Sequence, residues 1–175
     1  MAAFTVIDHT ELGAAAASYE VTSIAASYDH LYLVASARSD QSGYYENIFL
    51  NYNGDTGANY SSTALYAGSS TVASNRNAGA TKIENILVCT SSHLADTFSP
   101  ITMWIPNYAN AANFKQAFIG CPVPNNSTTN NQWYVSFLAG LWSDTDAIDQ
   151  VTLTLAGGDN FVQYSTFTLY GVTGA

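Results

Sequence analysis

The sequence contains few charged residues, and few cationic ones in particular. Only 4 Lys and Arg side chains oppose 13 Asp and Glu, so the formal net charge at pH 7 is −9. Charged residues make up 10% of the chain, against roughly 25% in an average soluble domain. Because proteins bind nucleic acids and anionic membranes mainly through Lys and Arg, this composition disfavours both as partners. A surface of uncharged Ser, Thr and Asn loses less hydration energy than an ionic one when it docks on another protein.

Cysteine is scarce, and long apolar runs are absent. The 2 cysteines, Cys89 and Cys121, are too few for a disulfide framework. Free, buried thiols are favoured, and a single bond between them stays open. No run reaches the ~18 apolar residues that a membrane-spanning helix requires. The first residues, MAAF, lack the basic segment and apolar core of a signal peptide, so we expect synthesis in the cytoplasm of the cell that makes the protein.

Apolar and polar residues alternate through much of the chain. A period of two indicates half-buried strands. It is clearest at Tyr32–Arg38, Asn47–Tyr52, Val151–Leu155 and Ser165–Tyr170. Further strands are predicted at Phe4–Asp8, Glu20–Ile24, Ala64–Ala67, Ile83–Cys89, Pro100–Ile105, Phe114–Cys121 and Trp133–Leu141.

Helix signals are weak, whereas turn signals are frequent. The stretch Glu11–Ser18 is rich in alanine, but Gly13 interrupts it and it is too short to be stable alone. We interpret it as a connector or one helical turn. Clusters of Gly, Asn, Asp and Pro separate the predicted strands. Nine to eleven short strands in this chain predict an all-β fold, a jelly-roll-like β-sandwich of two sheets, in one domain covering residues 1–175.

The clearest predicted loop runs from Pro122 to Asn131. It is polar, uncharged and bounded by proline, so we expect it to be exposed. Asn126-Ser127-Thr128 matches a glycosylation sequon, which matters only in a secretory pathway. Nothing in the sequence implies such a pathway.

Asp144 and Asp146, with Asp149 nearby, form the best candidate for a catalytic carboxylate pair. Residues i and i+2 of a strand share a face, and paired acids hydrolyse glycosides when they are held ~5–5.5 Å or ~6.5–9.5 Å apart. A turn fits the segment Trp142–Asp146 better, because Asp side chains bond to the local backbone in turns. We therefore favour the structural interpretation over hydrolysis.

Oxygen-bearing side chains alternate in one segment, as in a calcium-binding loop: Asn51, Asn53, Asp55 and Asn59. The bidentate Glu that closes such a loop is absent, and Asp55 alone of the four is charged. Gly54 and Gly57 favour a tight turn instead, since glycine tolerates positive φ.

No established catalytic motif is present. His9, His30 and His93 are scattered and lack the spacing of a zinc site. A Ser-His-Asp triad assembled from distant positions stays open, but no GxSxG motif supports it. A P-loop and a GxGxxG motif are also absent. We expect no enzymatic activity, no metal and no cofactor.

Aromatic residues are the most informative feature, with 12 Tyr, 8 Phe and 3 Trp. Several lie beside turns or at positions expected to face outward. Such side chains are enriched at protein interfaces, and they can also plug the ends of a sandwich. The residues predicted to form an interface are Tyr44, Tyr45, Tyr60, Tyr66, Trp104 and Tyr108, with Trp142 beside them.

Four motifs follow one another along the chain: NYNGDTGANYS (residues 51–61), IPNY (105–108), AGLW (139–142) and FTLYGV (167–172). In this order they resemble a family of small proteins encoded in tailed-phage genomes, and the resemblance covers nearly the whole chain. It implies a virion structural protein, either a head or a tail accessory. It transfers no catalytic residue, because the family has no established active site.

The resemblance and the composition together lead us to expect a capsid decoration (cement) protein. Such a protein binds the outer surface of the major-capsid lattice and stabilises the expanded head. The expected partners are the major capsid protein and copies of the chain itself, as a homotrimer, on the outer surface of the phage particle. The alternative is a tail or tail-fibre module that binds host-surface glycan through exposed aromatics and the Asn-rich loop.

Overall fold

The part of the chain that the structure describes contains twelve β-strands, joined by turns and loops, and no helix. The structure is a computed structural model, and it describes residues 3–68, 71–126 and 133–174. The strands are β1 (Ala3–Glu11), β2 (Ser18–Val21), β3 (His30–Ala37), β4 (Glu46–Tyr52), β5 (Tyr60–Gly68), β6 (Thr71–Ala80), β7 (Ile83–Val88), β8 (Ser99–Pro106), β9 (Lys115–Val123), β10 (Tyr134–Trp142), β11 (Val151–Leu155) and β12 (Thr166–Thr173).

The strands form two antiparallel sheets. The large sheet has the order β1-β12-β3-β8-β9-β10-β5-β6, and the small sheet has the order β2-β11-β4-β7. Strands far apart in sequence pair as nested hairpins: β1 with β12, β2 with β11, β3 with β8, and β4 with β7. This nesting is the jelly-roll connectivity, and it confirms the predicted two-sheet β-sandwich.

Two inserted hairpins widen the large sheet. The hairpin β5–β6 follows β4, the strands β9 and β10 follow β8, and all four extend the large sheet in the order β9-β10-β5-β6. Strand β7, at the edge of the small sheet, contacts β9, β10 and β5. The small sheet therefore ends before the large sheet does, and the inner face of β6 extends beyond it.

The predicted alternation places the core side chains correctly. In β3, Leu33 and Ala35 are at most 2% exposed, and in β4, Ile48 and Leu50 are fully buried. The same alternation holds in β11 and β12. Burial of a large aliphatic side chain contributes about 1.5–3 kcal/mol, so a register shift by one residue in any of these strands would lose several such contributions at once.

Strand β2 begins and ends earlier than the predicted Glu20–Ile24. Its last residue is Val21, and Ser23 has a φ of 58°, which an extended strand does not tolerate. The Ile24 N–H bonds to the Asp149 carbonyl at 2.9 Å, outside the ladder of the small sheet. The chain has already turned away from β2 at this point.

Strand β6 was not predicted, because it is largely exposed on both faces and its sequence lacks apolar alternation.

The stretch between Glu11 and Ser18 is a connector, in which Ala16 forms an isolated bridge to Phe161. Pro122, where the predicted loop begins, still belongs to β9. Residues 127–131 of that loop, with two of the three sequon residues, lie outside the described residues.

Candidate interaction surfaces

The aromatic residues predicted as an interface occupy three different places. Tyr44, Tyr45 and Tyr66 lie at or beside one cleft, Trp104 lies on the outer face of the large sheet, and Tyr60 and Tyr108 lie in the core. The prediction therefore combined residues that the fold separates.

Tyr60 and Tyr108 correct the prediction, because they are 1% and 0% exposed. The Tyr60 hydroxyl donates to the Tyr52 carbonyl at 3.3 Å, and the Tyr108 hydroxyl donates to the Ala25 carbonyl. Burial raises the pKa of both phenols. A buried tyrosine needs a partner for its hydroxyl, and a backbone carbonyl supplies it at both positions, at the end of β4 for Tyr60 and in a loop for Tyr108. These side chains close the ends of the sandwich, as does Trp142, which is 2% exposed.

A row of mainly apolar side chains crosses the outer face of the large sheet, the face turned away from the small sheet. Each member is paired in register with the next, from edge to edge: Val6, Tyr170, Tyr32, Trp104, Phe118, Ala139, Thr63 and Arg76. The Phe4 ring packs edge-on against Tyr32 and Tyr170, with ring centroids 5.9 Å and 6.0 Å away.

A second register row runs beside the first. Its members are His9, Thr168, Val34, Thr102, Gly120, Phe137, Leu65 and Ser74. The Phe118 and Phe137 rings stack between the rows with centroids 6.4 Å apart. Neither row contains Asp or Glu. We call the two rows together with Phe4 the outer apolar band.

The outer apolar band leaves an unusual amount of hydrocarbon in water. Phe4, Val6, Leu65, Phe118 and Phe137 are each between 49% and 59% exposed. Together they expose roughly 500 Å² of side chain, at the upper end of the patches seen on monomeric proteins. The largest apolar patch on a monomeric protein is often functional.

A depression of about 380 Å³ interrupts the band where small residues replace large ones. Thr63 and Ala139 line it together with Trp104, Phe118 and Arg76. A depression of this kind accepts an anchoring side chain of a partner. The exposed Arg76 offers a cation to a carboxylate that enters it.

The sequence patterns did not single out any of the five exposed apolar members of this band, Phe118 and Phe137 among them. In β9, Phe118 and its neighbour Ile119 point to opposite faces of the sheet, and Ile119 is fully buried. In β10, Phe137 alternates in the same way with the buried Leu138. The available signal was the period of two itself, because it places both phenylalanines on the polar side of their strands.

A cleft of about 90 Å³ lies between β7 and the inner face of β10, β5 and β6. It is lined by Tyr45, Asn47, Tyr66, Asn75, Asn85, Leu87, Tyr134 and Ser136. The Tyr45 and Tyr134 rings meet edge to face, with centroids 4.8 Å apart. Burial raises the pKa of Tyr134, and the nearby Tyr45 and Tyr44 add to this effect.

The carboxylates of Asp144 and Asp146 belong to a turn. Oδ1 of Asp144 accepts the backbone N–H of Asp146 at 2.9 Å, which is the local side-chain bond that favours Asp in turns. The loop also covers Lys115, whose ammonium donates to the Thr145 carbonyl at 2.9 Å. These contacts support the structural interpretation of the pair.

The ammonium of Lys115 is fully buried and bound by backbone oxygens. It also donates to the carbonyls of Asn110 and Asn113, at 2.9 Å and 2.8 Å. Burial lowers the pKa of Lys115, and the coulombic effect of Asp144 and Asp146 opposes this shift. Three carbonyls match the three donors of an ammonium, so Lys115 fastens two loops together.

The segment NYNGDTGANY forms a turn organised by one carboxylate. Asn53 and Gly54 both have positive φ, 53° and 63°, and the Asp55 N–H bonds to the Tyr52 carbonyl at 2.9 Å. This is the type I′ geometry that Asn-Gly favours. Gly57 keeps a negative φ, contrary to the prediction, and its N–H donates to Oδ1 of Asp55 at 2.7 Å.

Amide donors, not free oxygens, surround the Asp55 carboxylate. The Asn59 amide donates to Oδ2 of Asp55 at 2.9 Å, and the Trp142 indole N–H donates to the same oxygen at 2.7 Å. The Gly57 N–H, together with the Asn59 and Trp142 donors, lowers the pKa of Asp55. Because a cation does not fit among N–H donors, the contacts favour the turn over a calcium loop.

The three histidines lie apart from one another, and the two cysteines are not bonded to each other. Within the described ranges, no group of three His, Cys, Asp or Glu side chains is placed to hold a metal ion. Cys89 and Cys121 are free and buried, as favoured from the sequence. Burial raises the pKa of both thiols, that of Cys121 to about 11.

Comparisons with protein-family models, with curated proteins and with solved structures gave no match. In the part of the chain that the structure describes, no helix has the length and apolar character to cross a membrane.

Proposed function

We propose that the chain is a structural protein of a phage particle, a decoration protein that binds the outer surface of the major-capsid lattice. The single observation that carries this proposal is the outer apolar band, which places stacked, half-exposed phenylalanines on one face of a rigid sheet. A binding surface built on strands holds its shape better than one built on loops.

The size of the large sheet suits a specific protein interface. Eight strands spaced ~4.8 Å apart span about 34 Å, and a standard interface takes about 800 Å² from each partner. Roughly 500 Å² of exposed hydrocarbon would form the centre of such an interface, with uncharged hydroxyl groups around it.

Charge distribution supports an outward position on the particle. The chain has a net charge of −9, whereas the two register rows of the band contain no carboxylate. The band can therefore approach a neighbouring protein without bringing like charges together, while the acidic remainder faces solvent away from packaged DNA. A ligand that binds only the expanded shell stabilises that state by mass action.

The fold is compatible with this role but does not assign it. Jelly rolls occur in viral capsid proteins and in lectins, and fold alone does not define function. The four motifs that resemble tailed-phage proteins are the reason for proposing a phage particle as the location. A decoration protein would lie in the head of the particle, and the alternative, a tail or tail-fibre module, would lie in its tail.

The test is co-sedimentation of the purified protein with expanded, undecorated capsid shells of the phage that encodes it. We expect saturable binding, and the variant Phe118→Ser/Phe137→Ser should bind at least about tenfold more weakly. Both side chains are exposed, so the variant should keep its fold. The control Leu94→Ser/Tyr164→Ser removes apolar groups that are 54% and 63% exposed in loops and should bind like the unmodified protein.

Copy number in purified particles separates the head from the tail. Hundreds of copies per particle support decoration, and a few to a few dozen copies would place the protein in the tail. Sedimentation at micromolar concentration tests the proposed homotrimer, which a monomer would contradict.

A further inference from the structure

The mismatch in width between the two sheets produces the cleft along β7. The small sheet ends at β7, and the inner face of the large sheet continues through β5 to β6. Asn75 of β6 joins Asn85 of β7 by an amide hydrogen bond of 3.2 Å. The cleft is therefore a product of the rigid framework, with strand residues on both sides.

Among the described residues that line the cleft there is no cation and no carboxylate. The lining consists of three Tyr, three Asn, one Ser and one Leu. An anionic ligand would find no positive charge there, in a chain with a net charge of −9. Flat aromatic rings beside amide groups suit a neutral ligand that has apolar C–H faces and several hydroxyl groups.

A buried hydroxyl with only a weak partner marks the inner wall of the cleft. Ser136 is 1% exposed, its Oγ has no nitrogen or oxygen partner in the described chain, and the Cys121 thiol is the one group there that interacts with it. Buried polar groups are nearly always hydrogen-bonded, so each exception calls for an explanation. Ser136 lines the cleft, and a ligand hydroxyl would reach its buried Oγ once a neighbouring side chain of the lining moves aside.

The amide network fixes a second polar group. The Asn85 amide donates to Ser62 Oγ at 3.2 Å, so its oxygen is the acceptor for the Asn75 amide. This arrangement leaves Oδ1 of Asn75 as an acceptor that the Asn75–Asn85 bond does not use.

Gly68 allows the Tyr134 ring to lie beside the cleft. A Cβ atom at position 68 would lie 2.3 Å from Cε1 of Tyr134, closer than any real contact. The ring therefore packs directly on the backbone of β5, next to Tyr66 in the same lining. A side chain at position 68 would displace Tyr134 and alter the cleft without changing a lining residue.

We propose that this cleft binds a neutral sugar. A cavity of about 90 Å³ equals about three water molecules' share of liquid volume, which accommodates one edge of a pyranose. The ring then stacks on a tyrosine at the mouth, and its hydroxyls bond to Ser136 Oγ and the Asn75 amide. The site lies on the inner side of the large sheet, and the inference is independent of the outer apolar band.

The test is a titration followed by amide NMR. The probes are glucose, galactose, mannose, N-acetylglucosamine and N-acetylgalactosamine, with sialic acid and glucose 6-phosphate as anionic counterparts. At least one neutral sugar should shift the amide signals of Tyr66, Asn75, Tyr134 and Ser136 saturably, with a Kd of about 1 mM. The proposal is overturned if no neutral sugar does so, or if an anionic probe binds equally well.

Variants separate a binding role from a structural one. Ser136→Ala should weaken binding about fivefold to tenfold and lower the unfolding free energy by less than about 1 kcal/mol, because the lost hydroxyl interacts in the described chain only with the Cys121 thiol, a weak hydrogen-bonding group. Gly68→Ala should weaken binding through Tyr134, and Tyr164→Ala, at a 63% exposed tyrosine outside the cleft, should leave it unchanged. Unchanged binding in Ser136→Ala and Gly68→Ala together would refute the site, whatever the outcome with capsid shells.

Discussion

The indole N–H of Trp142 donates a 2.7 Å hydrogen bond to the carboxylate of Asp55, across 87 positions of sequence. This bond joins two of the four motifs, because Asp55 lies in NYNGDTGANYS and Trp142 ends AGLW. The Trp142 ring also packs at 5.7 Å from Tyr52 and 6.1 Å from Tyr60. The two motifs are therefore parts of one structural unit that closes an end of the sandwich.

Asp55→Asn should destabilise the fold. Both carboxylate oxygens accept N–H donors, and an amide must turn its own NH₂ group toward one of them. We expect a loss of about 1–2 kcal/mol of unfolding free energy, limited by the partial exposure of the side chain. Urea denaturation measures it. Asp149→Asn removes an exposed carboxylate and should change stability by less than about 0.5 kcal/mol. Equal effects of the two variants would contradict the role of Asp55.

The buried carboxyl of Glu46 should make the folded state less stable as pH rises toward neutrality. Glu46 is 4% exposed and accepts bonds from the Ser39 hydroxyl and the Gly157 N–H. Burial raises its pKa above the ordinary 4.5, so the folded state holds a proton that the unfolded state releases. Its contribution to stability therefore falls as pH rises from about 4.5 through the raised folded value.

Glu46→Gln should remove this fall, because a glutamine can accept from Gly157 and donate to Ser39 without ionising. The variant should gain stability relative to the unmodified protein as pH increases toward neutrality, measured by urea denaturation across that range. Glu20→Gln, at an exposed position, is the matched surface control. A stability difference that stays constant with pH would contradict the role of Glu46.

The opposite sign applies to Asp55. N–H donors hold its folded pKa below the usual value, so its contribution is complete above the unfolded pKa and is lost as pH falls through the lowered folded pKa. Acid titration of the unmodified protein and of Asp55→Asn should therefore converge at low pH. Curves that remain parallel to the acid limit would exclude this contribution.

Lys115→Met should be strongly destabilising. The substitution removes the three hydrogen bonds that the ammonium donates to the carbonyls of Asn110, Asn113 and Thr145. These carbonyl oxygens then lack that donor in a buried site. We expect a loss of about 3 kcal/mol, measured by thermal or urea unfolding. Lys82→Met removes the same charge where the ammonium lies 3.8 Å from the Phe49 ring centroid, and it should cost less than about 1 kcal/mol. The order of the two losses is the decisive observation.

Cys89 and Cys121 should resist thiol reagents in the folded protein. Both are fully buried, and burial disfavours the reactive thiolate. Ellman's reagent should label both thiols quickly in urea, and at least about a thousandfold more slowly without denaturant. Fast labelling of either thiol in the native protein would show that its strand opens.

Local patterns predicted local outcomes. The alternation in Asn47–Tyr52 placed Ile48 and Leu50 in the core, because successive strand side chains point to opposite faces whatever surrounds them. Asn53 and Gly54 predicted a tight turn for an equally local reason. The same patterns did not reveal β6, which has no buried face to impose a period. They also did not show that Tyr60 packs against Trp142 and that Tyr108 bonds to the Ala25 carbonyl, both far away in sequence.

The amino-acid sequence by itself determined that the chain forms strands and which face of most strands is apolar. Strand formation and the apolar face both depend on backbone geometry and on neighbours one or two positions away. Only the tertiary structure decided how the strands nest, how Phe118 and Phe137 come to stack on one outer face, and how the unequal sheets leave a tyrosine-lined cleft at β7. These features depend on pairings between segments far apart in sequence, and such pairings form only when the whole hydrophobic core assembles.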